Sequence, residues 1–232
     1  MAGLGRKVFT AGDVLTASDV QSYLMDQTVM NFAGTAARSS AIATPTDGMV
    51  TYNQTNNSLE AYNGAEWINT SGLQLVKKQT IGTGVSSVTV TSAFSATYDN
   101  YKIIVTGGSN SSGTTNVLTT LGGSTTGYYY NLIYTNYNTT TPLALSASNT
   151  SSWAYSAAST GTNGWQMNLD VFAPFLAART GMCGNYINLG PALSAGPIGG
   201  FIENTNSHTA FTLTPSAGTL TGGTIYVYGY GI

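Results

Sequence analysis

Between Ile103 and Ile232 the only strong acids and bases are Asp170, Arg179 and Glu203, joined by the single histidine, His208, and the single cysteine, Cys183. Glycoside hydrolysis needs two carboxyl groups facing each other at roughly 5–10 Å across the substrate, and Asp170 and Glu203 are the only pair this region supplies. A Ser-His-Asp arrangement would have to use His208, yet no Gly-x-Ser-x-Gly elbow sits between a strand and a helix, so His208 reads as a loop residue. One cysteine cannot close an intrachain disulfide, and one cysteine with one histidine makes no zinc set, so Cys183 is expected as a small buried residue. The pairs Gly107-Gly108, Gly122-Gly123, Gly199-Gly200 and Gly222-Gly223 open no helix with Lys-Ser/Thr, and read as turns rather than phosphate loops. No catalytic residue, metal or cofactor is expected.

The chemistry that remains is stacking. Tyr128-Tyr129-Tyr130, Tyr134, Tyr137, Trp153, Tyr155 and Trp165 lie among Asn, Thr and Ser. Aromatic faces flanked by amides and hydroxyls can stack on sugar rings while the polar groups bond the sugar hydroxyls. Trp153, Tyr155, Tyr134 and Tyr137 are the candidate glycan-binding residues, because each sits in or beside a polar stretch where a ring is harder to cover than in a strand such as 165–172. The competing reading is that neighbouring aromatics alternate across a strand, one in the core and the next paired on the surface.

The elements that must position these rings are strands. From Leu73 onward, runs at 75–80, 87–91, 101–106, 116–121, 128–135, 165–172, 185–189, 209–214 and 224–230 are separated by turn-rich spacers with no helix between them. Such a chain predicts an antiparallel β-sandwich, jelly-roll-like, over residues 73–232. Val88/Val90 and Phe211/Leu213 alternate with threonine and serine, which puts threonines on the solvent side. The segments 106–114 and 146–152 read as loops. No fixed period runs through the chain, which argues against a β-helix.

The first third differs. Thr16-Ala17-Ser18-Asp19 offers a helix N-cap with an acid three residues on, followed by Val20, Tyr23, Leu24 and Gln27 at helical spacing, so a helix of about three turns is predicted from Ala17. Val29-Met30-Asn31-Phe32-Ala33 alternates and is read as extended, with more apolar surface than it can cover alone. After the turn Pro45-Thr46-Asp47-Gly48, strands at 49–52, 58–62 and 66–68 form a small meander whose last two are joined by Asn63-Gly64 as a two-residue hairpin. A sheet this small is marginal and is expected to be completed by neighbouring chains. The expected division is therefore 1–45, a segment with a helix; 46–72, the meander; and 73–232, the sandwich.

Composition narrows the function. Charged residues make up 7% of the 232, against about 25% in ordinary domains. With 15 Tyr and 7 Phe to bury, the chain is read as ordered rather than disordered. A net charge of −2, with Arg6-Lys7 and Lys77-Lys78 as the only basic pairs, argues against nucleic acid and against attraction to a membrane surface. Apolar runs are strand-sized, far below the ~20 residues of a spanning helix, and no signal-peptide pattern follows Met1. The chain reads as made in the cytoplasm and unprocessed.

Gly48-Met49-Val50-Thr51-Tyr52, then Leu59-x-x-Tyr62-x-Gly64-x-x-Trp67, behind a helical N-terminal segment, resemble bacteriophage tail-fibre and minor tail proteins. The stretch from Phe94 to Tyr101 and the closing Gly223-Thr224-Ile225-Tyr226-Val227-Tyr228-Gly229-Tyr230 resemble phage fibre head domains. The resemblance implies a mainly β virion protein that is not an enzyme and that assembles as a homotrimer. A trimer would also bury the helix face of Val20 and Leu24. Residues 1–45 would attach to other virion proteins of the tail, baseplate or capsid through Val20, Leu24, Val29, Met30 and Phe32. The sandwich would bind a host surface glycan. The alternatives are a capsid fibre or decoration protein built from the same modules, and, from a different class, a glycan depolymerase.

Overall fold

The computed structural model describes residues 10–20, 28–70 and 72–231. The protein is mainly β and divides by its contacts into two compact units that meet in sequence at Gly72 and Leu73.

The first unit contains α1 (Ala17–Asp19), β1 (Met30–Phe32), α2 (Thr35–Ala41), β2 (Val50–Asn53), β3 (Ser58–Tyr62) and β4 (Trp67–Asn69). The N-cap at Thr16 is formed as expected: its Oγ1 accepts from the Asp19 backbone N–H at 3.1 Å, and the Asp19 carboxylate accepts from the Thr16 N–H at 3.3 Å. The rest of the predicted helix, with Tyr23, Leu24 and Gln27, lies outside the described residues. The expected boundary at 45/46 does not separate structure. β1 pairs in parallel with β2, Met30 opposite Thr51 and Phe32 opposite Asn53, so the meander becomes a four-stranded sheet in order β1-β2-β3-β4 within one chain. Met30 and Phe32 are thereby half-buried, while Val20 and Val29 stay exposed. The Asn63-Gly64 turn is a four-residue connection rather than a two-residue one: Asn63 Oδ1 accepts from the N–H groups of Ala65 and Glu66, and Gly64 takes φ +89°.

This small unit buries polar groups where a larger domain would bury aliphatic ones. Arg38 on α2 reaches across the sheet and forms a buried ion pair with Glu60 on β3. The Asn53 amide donates to the same carboxylate at 3.2 Å, and the guanidinium lies 4.6 Å from the centre of the Trp67 ring. Removing Arg38 from water lowers its pKa.

The second unit runs through β5 (Leu73–Thr80), β6 (Val88–Val90), β7 (Asn100–Thr106), β8 (Ser109–Asn110), β9 (Thr115–Leu121), β10 (Tyr128–Asn136), β11 (Leu143–Thr150), β12 (Trp153–Ser159), β13 (Gln166–Phe172), β14 (Gly181–Asn188), β15 (Ser194–Ile202), β16 (Phe211–Pro215), β17 (Leu220–Thr221) and β18 (Thr224–Tyr230). Eight strands form one sheet in order β11-β10-β15-β14-β13-β7-β18-β5, all antiparallel, and β12-β9-β16-β6 form a second. The two pack as a sandwich. Its core takes the inward-facing residues of both sheets, among them Tyr101, Ile103 and Leu169 of the large sheet and Val117, Phe211 and Leu213 of the small one.

Two of the segments behind the family resemblance meet here. The Tyr101 hydroxyl accepts from the Ser95 N–H and donates to the Ser95 carbonyl, both at 2.8 Å, which pins the loop entering β7. Tyr98 stands edge-on to Tyr101 and lies where a side chain at Gly229 would be, so the closing strand needs glycine at that position.

Five strands were not expected. β11 and β12 occupy a stretch read partly as loop, the two-residue β8 falls inside the loop read at 106–114, the two-residue β17 falls in a spacer, and β15 contains Gly199-Gly200, read as a turn. The glycines of β15 make room on the inner face: a side chain at Gly200 would meet Tyr130, and one at Gly196 would meet the backbone of Tyr134. Cys183, expected buried, is exposed, because it alternates with the buried Met182 on β14 and points outward. Threonines cover the outer face of the small sheet, where Thr89 and Thr212 hydroxyls bond at 2.9 Å, but not that of the large one.

Candidate functional site

The strands of the second unit share two ends. The chain enters at Leu73 and leaves at Tyr230 at one of them, together with Phe172, Gly181, Ile202 and Tyr128; Asn136, Asn188, Ser194, Gln166 and Thr80 lie at the other. The four aromatic candidates are not brought together.

Trp153, expected exposed, is fully buried. It stands edge-on to Tyr128, with centroids 5.3 Å apart and planes at 88°, and its Nε1–H donates to the Phe201 carbonyl at 3.3 Å. Its ring is a core ring and cannot stack on a ligand. The polar letters around it mislead because β12 is built from small residues: Ser156, Ala157, Ala158 and Ser159 are themselves buried between the sheets.

Tyr134 and Tyr155 are half-buried members of a tyrosine cluster that spans the sandwich. Tyr130 and Tyr134 of β10, Tyr155 of β12 and Tyr186 of β14 are linked by ring pairs at 5.9 Å (Tyr130–Tyr155), 5.9 Å (Tyr155–Tyr186) and 6.3 Å (Tyr134–Tyr186). Tyr130 was named among the aromatics without being a candidate, and Tyr186 was not named. The signal for Tyr130 was the alternation of Tyr128, Tyr130, Leu132 and Tyr134 along one face of β10. Burial, with Tyr155 and Tyr134 nearby, pushes the Tyr186 hydroxyl up to about 12. Because the neutral phenol is favoured in the folded state, this stabilisation is fully present below the ordinary tyrosine value near 10 and is lost as pH rises from about 10 to about 12. The sandwich should therefore lose about 2 kcal/mol across that window on account of Tyr186 alone. Thermal melts of Tyr186→Phe and the parent protein should show a shallower alkaline decline in the variant; identical slopes above pH 10 would refute the assignment.

Tyr137 is the one candidate ring in water, 72% exposed. It follows the last residue of β10 at the end opposite Leu73 and Tyr230. Its backbone N–H donates to the Leu193 carbonyl at 3.0 Å, and Thr139 N–H donates to Asn136 O at 3.0 Å, so the loop is fixed while the ring is free. A cleft of about 450 Å³ lies between Asn136, Tyr137 and Asn138 on one side and Pro191, Ala192 and Leu193 on the other. A second, of about 470 Å³, shares Pro191 and Leu193 and adds Thr114, Thr162 and Asn163. The intervening loops are braced: Asn163 Nδ2 donates to Leu189 O at 2.7 Å, Gly190 N–H to Asn188 Oδ1 at 2.8 Å, and Gly190 packs so closely on Thr114 that a side chain there would collide with it. Pro191 and Leu193 are the residues sequence reading missed. The arrangement offers an aromatic face, a small apolar floor and neutral amides and hydroxyls.

Comparison with family models and with curated proteins finds no match.

A larger cleft, about 760 Å³, is at the other end, between residues 122–126 and 204–209. It has no aromatic or aliphatic platform; its wall includes His208, which is buried and whose pKa burial lowers, so it is neutral at pH 7. Asp170 and Glu203 are each held by their own partners and sit apart from each other. Asp170 binds Lys102 at 3.1 Å and accepts from the Tyr230 hydroxyl, while Glu203 pairs with Arg179 at 3.4 Å and accepts from Tyr129 at 3.0 Å. Strand register sets their backbones roughly 16 Å apart, beyond the span of a paired-carboxylate hydrolase. Among the described residues no three of His, Cys, Asp and Glu gather as a metal-holding group, and no helix is long and apolar enough to cross a membrane.

Proposed function

We propose that this chain is a non-enzymatic structural protein of a bacteriophage particle, a trimeric fibre whose C-terminal sandwich presents its Tyr137 end to a neutral glycan of the host surface. The observation that carries the glycan reading is the exposed Tyr137 ring over a braced, uncharged cleft, at the end of the sandwich away from where the chain enters and leaves it. The phage reading is supported by the motifs at 48–67, 94–101 and 223–230. Residues of the first unit, Val20 and Val29 among them, would face other virion proteins. A capsid fibre differs from a tail fibre only in its place on the particle, and imaging of labelled virions separates the two.

Stacking and neutral hydrogen bonds depend little on ionic strength, and several copies per particle would multiply a weak single-site affinity. Tyr137→Ala should therefore lower adsorption of the protein to host cell-surface polysaccharide by roughly tenfold or more, about 1.4 kcal/mol, with no change in melting temperature. Adsorption by the parent should be the same in low and high salt. Undiminished adsorption of Tyr137→Ala, or a steep fall with salt, would overturn the site.

A further inference from the structure

The two outer faces of the sandwich are unlike. The small sheet shows threonines to water, as an ordinary solvent face does. The outer face of the large sheet carries Leu73, Leu75, Ile133, Phe172, Phe201 and Tyr230, each at least a third exposed, with Ile133 at 52% and Leu75 at 56%. Strand register places them all on one side: Leu73, Tyr230, Phe172 and Phe201 fall along one edge row with Tyr129, whose ring stacks on Phe201 at 4.8 Å and 2°. A monomer rarely leaves so much apolar surface bare.

Size and charge say what covers it. Seven strands from β10 to β5, at about 4.8 Å spacing and seven residues of about 3.3 Å each, give a plane of roughly 650 Å² before side-chain relief is counted. That is close to the ~800 Å² per partner of a stable protein interface. The face also neutralises itself, because Lys102 is paired with Asp170 and Arg179 with Glu203. Among the described residues Lys78, beside the Tyr226 ring, is a further cation there. A strongly charged partner gains little on such a surface, whereas a second copy of the same face meets almost no net repulsion.

We propose that the outer face of the eight-stranded sheet is the surface through which copies of this chain associate, the occupant being the same sheet of the neighbouring copies about the threefold axis. This rests on the oligomeric part of the function proposed above and is independent of the Tyr137 cleft. Cys183, exposed near the middle of the face, is a native probe of its coverage.

The full-length chain is sedimented at micromolar concentration beside a double variant, Leu75→Asp with Ile133→Asp, and a control on the opposite sheet, Thr89→Asp. In parallel, the rate at which a bulky maleimide modifies Cys183 is followed through a dilution series. The parent and Thr89→Asp should be oligomers, the double variant a monomer of unchanged melting temperature, and Cys183 should react at least roughly tenfold more slowly in the oligomer than in the dissociated chain. An oligomer that survives in the double variant, or a Cys183 that reacts equally fast at all dilutions of an oligomeric parent, places the contact elsewhere and overturns this surface alone. A parent that is monomeric throughout overturns the oligomeric reading as well. If the double variant fails to fold, the Cys183 rates of the parent decide the matter without it.

Discussion

Replacing Trp153 by alanine should cost the sandwich about 3–5 kcal/mol, the usual penalty for deleting a fully buried large aromatic. Three contributions add up at this position. The ring loses its edge-on contact with Tyr128, the Phe201 carbonyl loses a donor, and the gap opens beside the serines and alanines of β12, which cannot swell to fill it. For a unit of this length each kcal/mol moves the midpoint by about 2–4 °C, so the melting temperature should fall by roughly 6–20 °C. Adsorption to host polysaccharide measured well below that midpoint should stay near the parent value, the reverse of the Tyr137→Ala pattern. Thermal unfolding of the full-length protein followed by near-ultraviolet circular dichroism measures this. A Trp153→Ala protein that melts with the parent yet no longer adsorbs would return Trp153 to the surface and reverse its assignment.

The contrast between Trp153 and Tyr137 shows where local sequence is informative. Both lie among Ser, Asn and Thr, and polarity of the neighbours suggested exposure for both. For Tyr137 the surroundings are a hairpin loop, where polarity and exposure coincide. For Trp153 they are a strand facing the core, and burial there is decided by Tyr128 of β10 and Phe201 of β15, far away in sequence. The same non-local effect hid β15. A run reading Ser-Ala-Gly-Pro-Ile-Gly-Gly has every local mark of a turn, but its glycines are what the β10 backbone at Tyr129 and at Ile133 and Tyr134 requires beside it. Alternating strands such as β6, β16 and β18, and turn glycines at 107, 108, 122, 222 and 223 with positive φ, were legible because their reasons are local. The pairing of β1 with β2 and the Arg38–Glu60 bridge were not, since nothing within a few residues of either partner announces the other.

That bridge sets the second large effect. Glu60→Gln keeps the shape of the side chain and leaves it able to accept from Asn53, but it removes the negative charge that lets Arg38 remain in the interior of the first unit. The two side chains are 6% and 8% exposed, so the guanidinium left behind is poorly hydrated, and its lowered pKa already records what desolvation costs it. Breaking a buried pair from one side typically costs about 3–5 kcal/mol, of the same order as the whole stability of so small a unit. The cation–π contact with Trp67 offsets only part of this, about 1–2 kcal/mol for a desolvated site. In Glu60→Gln, residues 28–70 should become open to limited proteolysis at room temperature while the sandwich keeps its own melting transition. The double replacement Arg38→Met with Glu60→Leu should restore protection, because an apolar pair of similar volume needs no solvation. If Glu60→Gln is as resistant as the parent, water reaches Arg38 and the pair is not what holds α2 to the sheet. If the single variant unfolds and the double variant does too, the bridge also fixes the geometry of α2 against β3, a role that apolar packing cannot replace.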